Sequence, residues 1–129
     1  MTWSNTPCKA DGEAYSERDL DARVPLPKYQ QLKQIEMAAL ALAKHNDKLR
    51  VHIVCSGFLY GNGEQNDIFY EFFRRAWVSL HPSLSALPVI AGGHNTLPTI
   101  HVSDLASVLD AVLLNGSDYG SYLLAVDQA

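Results

Sequence analysis

A chain of 129 residues with 47% apolar and 19% charged side chains has the make-up of one globular domain able to bury a core without staples. Two cysteines, Cys8 and Cys55, exclude a disulfide scaffold or a cysteine-rich zinc module, and read as free thiols in a reducing compartment. The net charge of −4 is uneven: residues 1–50 carry eight Lys/Arg against seven Asp/Glu, and residues 51–129 only Arg74 and Arg75 against seven acids, which leaves no basic stripe for a nucleic-acid partner.

Residues 1–27 read as an irregular polar segment punctuated by Pro7, Gly12, Pro25 and Pro27. The α/β part, 28–129, follows. Leu32, Ile35, Ala39 and Leu42 recur at helical spacing and predict a helix near 29–44. The β-branched run at Val51-His52-Ile53-Val54-Cys55 predicts a strand over 51–55. Ser56 to Glu64 reads as a glycine-punctuated loop, and a helix near 67–79 follows, capped by Asn66 or Asp67.

Short strands are expected at 88–91 and 99–102, on either side of the turn Gly92-Gly93-His94-Asn95. Ser103 is placed to cap a helix near 104–114, in which Leu105, Val108, Leu109 and Val112 form an amphipathic stripe stopped by Asn115-Gly116. Tyr122 to Val126 closes the chain as a strand over 122–126. The alternation of strands and helices predicts an α/β layer fold. No apolar stretch reaches bilayer length, and Met1-Thr2-Trp3-Ser4 lacks a basic region followed by an apolar run, so no membrane partner and a cytoplasmic location are expected.

The loop Ser56-Gly57 to Gly63-Glu64 lies at the C-terminal end of a strand, where open α/β sheets bind ligands. It also suits an ordinary turn with glycines at positive φ. Gly61-x-Gly63 lacks the third glycine of a dinucleotide fingerprint, and no G-x-x-x-x-G-K-[ST] loop exists. Tyr29 and Lys33, four apart on a helix, share a face, and a lysine beside a phenol favours proton loss from it. A solvated helix start has the same spacing. His45, His52, His81, His94 and His101 lack partners at ligand spacing, so no metal is expected, and His101 reads as a core histidine. Cys55 has no basic neighbour to make a thiolate, and Ser56-Gly57 is not a G-x-S-x-G elbow.

Three stretches occur in order: Tyr60-Gly61-Asn62-Gly63-Glu64, Pro88-Val89-Ile90-x-Gly92-Gly93-x-Asn95, and Pro98-Thr99-Ile100-His101-Val102-x-Asp104-Leu105-Ala106. Together they resemble the second half of extended short-chain dehydrogenase/reductases, the family of nucleotide-sugar epimerases. Met1-Thr2-Trp3, Ser56-Gly57-x-x-Tyr60-Gly61, the Pro98–Ala106 run and Tyr122-Leu123-x-Ala125-Val126-Asp127 are closest to the N-terminal domain of the ciliary adenylate kinase 7 family.

This resemblance implies the second half of a partial Rossmann-like, doubly wound sheet, a single incomplete domain over 1–129, with Met1-Thr2-Trp3 in the place of its fifth strand. The glycine-rich turn of the dinucleotide-binding half and the kinase module that follows in the ciliary proteins are not in this sequence. In a working reductase, Ser4 or Thr2 would orient a carbonyl, Tyr29 would be the acid–base residue and Lys33 its activator. Matching Glu36 to the family's acidic position slips that pair by one residue, which rotates a side chain by about 100°. Ser56, Gly57, Tyr60 and Gly61 would then line NAD or NADP.

The leading expectation is a non-catalytic reductase-like adaptor with protein partners in a ciliary or flagellar axoneme. The alternatives are part of an NAD(P)-dependent epimerase or reductase using Tyr29 and Lys33, and an unrelated small α/β binding module.

Overall fold

The computed structural model describes residues 2–10, 12–63, 67–77 and 97–127. Its elements are helices α1 (Gln30–Lys44), α2 (Asp67–Trp77) and α3 (Val102–Asn115), and strands β1 (Ile53–Ser56), β2 (Phe58–Tyr60), β3 (Thr99–His101) and β4 (Tyr122–Ala125). Short 3-10 turns occupy Glu17–Ala22, Pro27–Tyr29 and Gly116–Asp118. Among the described residues the chain is a mixed α/β protein with two two-stranded sheets, β1–β4 and β2–β3. The described residues of Met1–Cys55 and Ser107–Ala125 form one compact unit, and those of Ser56–Ala106 and Val126–Ala129 another.

In the first unit, α1 follows the turn Pro27–Tyr29, whose proline occupies a position where no amide hydrogen is needed. Its run of Gln, Leu, Lys, Met and Ala favours helix throughout. The helix ends where the His45 amide donates to the Leu42 carbonyl at 3.2 Å and the His45 ring Nδ1 lies 2.8 Å from the Ala41 carbonyl. Asn46 then turns the chain, its carbonyl accepting from the Leu49 amide at 2.9 Å. The Ile53 amide donates to the Ser121 carbonyl at 2.9 Å beside the β1–β4 pair.

The turn Glu17–Ala22 packs on β4, where the Glu17 carboxylate accepts from the Leu124 amide at 3.0 Å. Among the described residues of this unit, Tyr122, Ala125 and Val112 are the buried apolar ones, and Thr2 and Arg23 are buried polar ones.

Residues 2–5 form a turn and not the fifth strand that the resemblance places at Met1-Thr2-Trp3. The reason lies in the backbone bonds. The Thr6 amide donates to Trp3 at 3.0 Å, closing the turn locally, and the Asn5 amide reaches Val24 at 2.8 Å. The expected irregular segment also contains the 3-10 turn at Glu17–Ala22. There Asp19 accepts from the Ser16 amide at 2.9 Å and from Lys9 Nζ at 2.9 Å, and these bonds hold its carboxyl below the usual range.

In the second unit, β2 and β3 run parallel, with Phe58 opposite Thr99, Leu59 opposite Ile100 and Tyr60 opposite His101. Ile100 is buried, at 3% exposure. Ser56 and Tyr60 therefore lie in strands, not in the loop expected over 56–64. Three residues between glycines carry no periodic signal, and a parallel partner forty residues away stabilises what local sequence does not. The strand expected at 88–91 lies outside the described residues.

Among the described residues, no helix is long and apolar enough to cross a membrane, and no group of His, Cys, Asp and Glu could hold a metal ion.

Candidate functional site

The C-terminal ends of parallel β2 and β3 bring together Tyr60, Gly61, Asn62, His101, Ser103 and Asp127. Each is placed by backbone. Gly57 and Gly61 flank β2. A Cβ on Gly57 would stand 2.6 Å from the Pro98 carbonyl oxygen, so glycine is what lets β2 approach β3 and the Phe58 amide donate to Pro98 at 2.8 Å. Gly61 has φ +94°, and a Cβ there would collide with the His101 imidazole. Asn62 (φ 52°) and Gly63 (φ +76°) continue this left-handed turn.

His101 precedes α3, and its Nδ1 accepts from the Ser103 amide at 3.2 Å, so the imidazole caps a helix that begins at Val102. Ser103 lies inside that first turn and is not its cap, the role that its residue type alone predicts. Its hydroxyl accepts instead from Asn62 Nδ2 at 3.1 Å. A neutral His101 that accepts at Nδ1 carries its hydrogen on Nε2, the atom against Gly61. The Tyr60 and His101 rings meet edge to face, centroids 5.2 Å apart.

Asp127 is held by its own amide, which donates to Thr99 at 2.6 Å. Its carboxylate beside the Tyr60 hydroxyl first, then desolvation and the charges of Asp127 and Asp104, raise the Tyr60 phenol above its ordinary value. Asp127 Oδ2 is buried without a hydrogen-bond partner. Chemically, this end of the sheet sets a phenol beside the Asp127 carboxylate, with the charge of Asp104 also acting on it. That is the reverse of a tyrosine activated by a cation, and it disfavours a pyrophosphate group.

Ser4, Tyr29 and Lys33 lie together in the other unit, around the stretch before α1. The Ser4 hydroxyl accepts from the Leu26 amide at 3.2 Å. Lys33 Nζ donates to the Arg23 carbonyl at 2.7 Å. The cation over the Tyr29 ring is Lys28, with Nζ 4.9 Å from the centroid. Ser4 and Lys33 thus help to hold residues 23–26 in place.

Sequence reasoning missed a buried arginine in this stretch. The Arg23 side chain is fully buried and pairs with Glu36 at 3.1 Å, and its guanidinium carbon stands 5.0 Å from the Tyr122 ring centroid. The pair is an ion contact without hydrogen-bond geometry, since Arg23 Nη1 and Glu36 Oε2 find no hydrogen-bond partner. A lone arginine between Ala22 and Val24, ahead of Pro25, was the available signal. Nearby, Trp3 Nε1 donates to the Tyr122 hydroxyl at 2.9 Å. Burial and then the nearby Cys55 thiol raise the Tyr122 phenol, against the lowering effect of Trp3.

No family model matches the chain, and no solved structure matches it. It is similar to adenylate kinase 7 of Mus musculus, 33% identical over 132 residues that cover 100% of this chain and 20% of that protein. It is also similar to adenylate kinase 7 of Macaca fascicularis, 35% identical over 94 residues, 73% of this chain and 16% of that protein. The chain spans a fifth or less of the length of these relatives, and across that span it is homologous to adenylate kinase 7.

Proposed function

We propose that this chain is a non-catalytic, reductase-like part of a protein assembly, an adaptor in a ciliary or flagellar axoneme. The homology to adenylate kinase 7 over the whole chain supports the relationship. The observation that carries the non-catalytic reading is Lys33, whose ammonium, the one that would activate Tyr29, donates instead to the Arg23 carbonyl at 2.7 Å. The cation over the Tyr29 ring is Lys28.

The second-half Rossmann-like sheet belongs to the same reading. The parallel β2–β3 pair, and the packing of Gly57 against Pro98 and of Gly61 against His101, fit such a fold retained as a scaffold. The test is fractionation of ciliated cells carrying the tagged protein. The chain should remain with detergent-extracted axonemes through salt washing. Complete release into the detergent-soluble fraction would refute the assembly role.

A further inference from the structure

The unit that contains α1 carries an open trough of about 830 Å³. Its walls are the turn Glu17–Ala22, the C-terminal half of α1, residues 49–52 and residues 116–122. Two features stand out. Met37, Leu49 and Tyr119 line it with apolar surface left 43%, 40% and 41% exposed. Arg18, Lys44 and Arg50 also line it, and none makes an ion pair among the described residues.

The carboxylates at the trough are Glu17, which accepts from the Leu124 amide and keeps its charge, and Asp21, so three cations face two anions there. Three cations beside half-exposed apolar walls therefore favour an occupant with acidic groups next to apolar anchors. An enclosed small-molecule pocket buries most of its ligand. A trough walled by four chain segments and open to solvent instead suits a peptide segment laid into it.

We propose that this trough docks an acidic, apolar-anchored segment of a partner protein. The proposal rests on the assembly reading and names the surface that it uses. Apolar contact supplies affinity, and the cations supply orientation and on-rate.

The test selects phage-displayed random peptides on the immobilised full chain, then titrates the winning synthetic peptides. Enriched peptides should place Asp or Glu beside Leu, Phe or Trp. Their affinity should fall at least tenfold in Lys44→Glu/Arg50→Glu and in Met37→Glu, with far-ultraviolet circular dichroism unchanged, and should weaken with salt for the wild type. No enrichment, basic peptides, or equal affinity in both variants would overturn the proposal. So would displacement of the peptides by inorganic phosphate at low concentration, which would mark a small-anion site. If the wild type and both variants all stay on axonemes, the trough is refuted and the assembly role stands. If the chain leaves axonemes yet binds acidic peptides through Arg50, the assembly role is refuted and the trough stands.

Discussion

The imidazole of His101 lies against the α-carbon of Gly61, so that one residue at the end of β2 has no room for a side chain because of one residue at the end of β3. Gly63, two residues on, has a positive φ of +76° but open space around it. The two glycines separate backbone strain from steric collision. Gly63→Ala should cost about 1 kcal/mol, the strain of a left-handed alanine. Gly61→Ala should cost about 2–4 kcal/mol, because overpacking against His101 adds to that strain. Urea unfolding of the two variants measures the difference. Equal costs would mean that His101 swings away freely.

The Asp127 carboxylate, acting on the Tyr60 phenol, makes stability depend on alkaline pH. The folded chain keeps the phenol proton above the ordinary value of 10.0, where the unfolded chain has lost it. The stabilisation is therefore complete below pH 10 and disappears as pH rises through the folded-state value. Tyr122 is raised as well, so the contrast between the wild type and Tyr60→Phe isolates Tyr60. Above pH 10 the wild type should lose stability more steeply than Tyr60→Phe. Asp127→Asn should let the phenol ionise at lower pH, read from ultraviolet phenolate absorbance.

Arg23 and Glu36 form the buried ion pair of the unit that contains α1. Removing one partner strands the other charge, so Arg23→Met or Glu36→Leu alone should cost about 3–5 kcal/mol. The double variant Arg23→Met/Glu36→Leu should recover most of the loss, since an apolar pair of similar volume needs no desolvated charge. Chemical denaturation of the three variants reads the cycle. A double variant as unstable as the sum would show that the arginine acts through Tyr122 and not through Glu36.

Lys33 offers a direct check on the candidate catalytic pair. Its bond to the Arg23 carbonyl should make Lys33→Met cost about 1–3 kcal/mol. Because that bond does not involve Tyr29, the cost should be the same within about 0.5 kcal/mol in a Tyr29→Phe background. A larger coupling energy would show that the phenol and the ammonium interact.

Where local sequence decided the structure, the elements were legible. The α1 run of strong helix formers gives Gln30–Lys44 against the expected 29–44, and the stripe through Leu105, Val108 and Val112 marks α3, whose Val112 is buried. The start of α3 was less so, because a histidine side chain caps it in place of Ser103. Strand β2 was hidden: Phe58-Leu59-Tyr60 becomes a strand only by pairing with Thr99-Ile100-His101. The site followed the same rule. Tyr60 and Gly61 could be named from the loop, whereas Asp127 joins them from the far end of the chain, at a separation that no spacing argument spans. Arg23 was missed because its partner Glu36 lies thirteen positions on, across the turn into α1.

The most direct measurement is the thermal melt of the purified chain with and without NAD(H) and NADP(H). A ligand bound only by the folded state raises the midpoint by mass action, by about 2.7 kcal/mol of added stability at a hundredfold excess over Kd. A non-catalytic scaffold predicts one unchanged midpoint with all four dinucleotides. A midpoint that climbs with dinucleotide concentration, and no longer does so in Tyr29→Phe or Lys33→Met, would contradict it and restore a working reductase site.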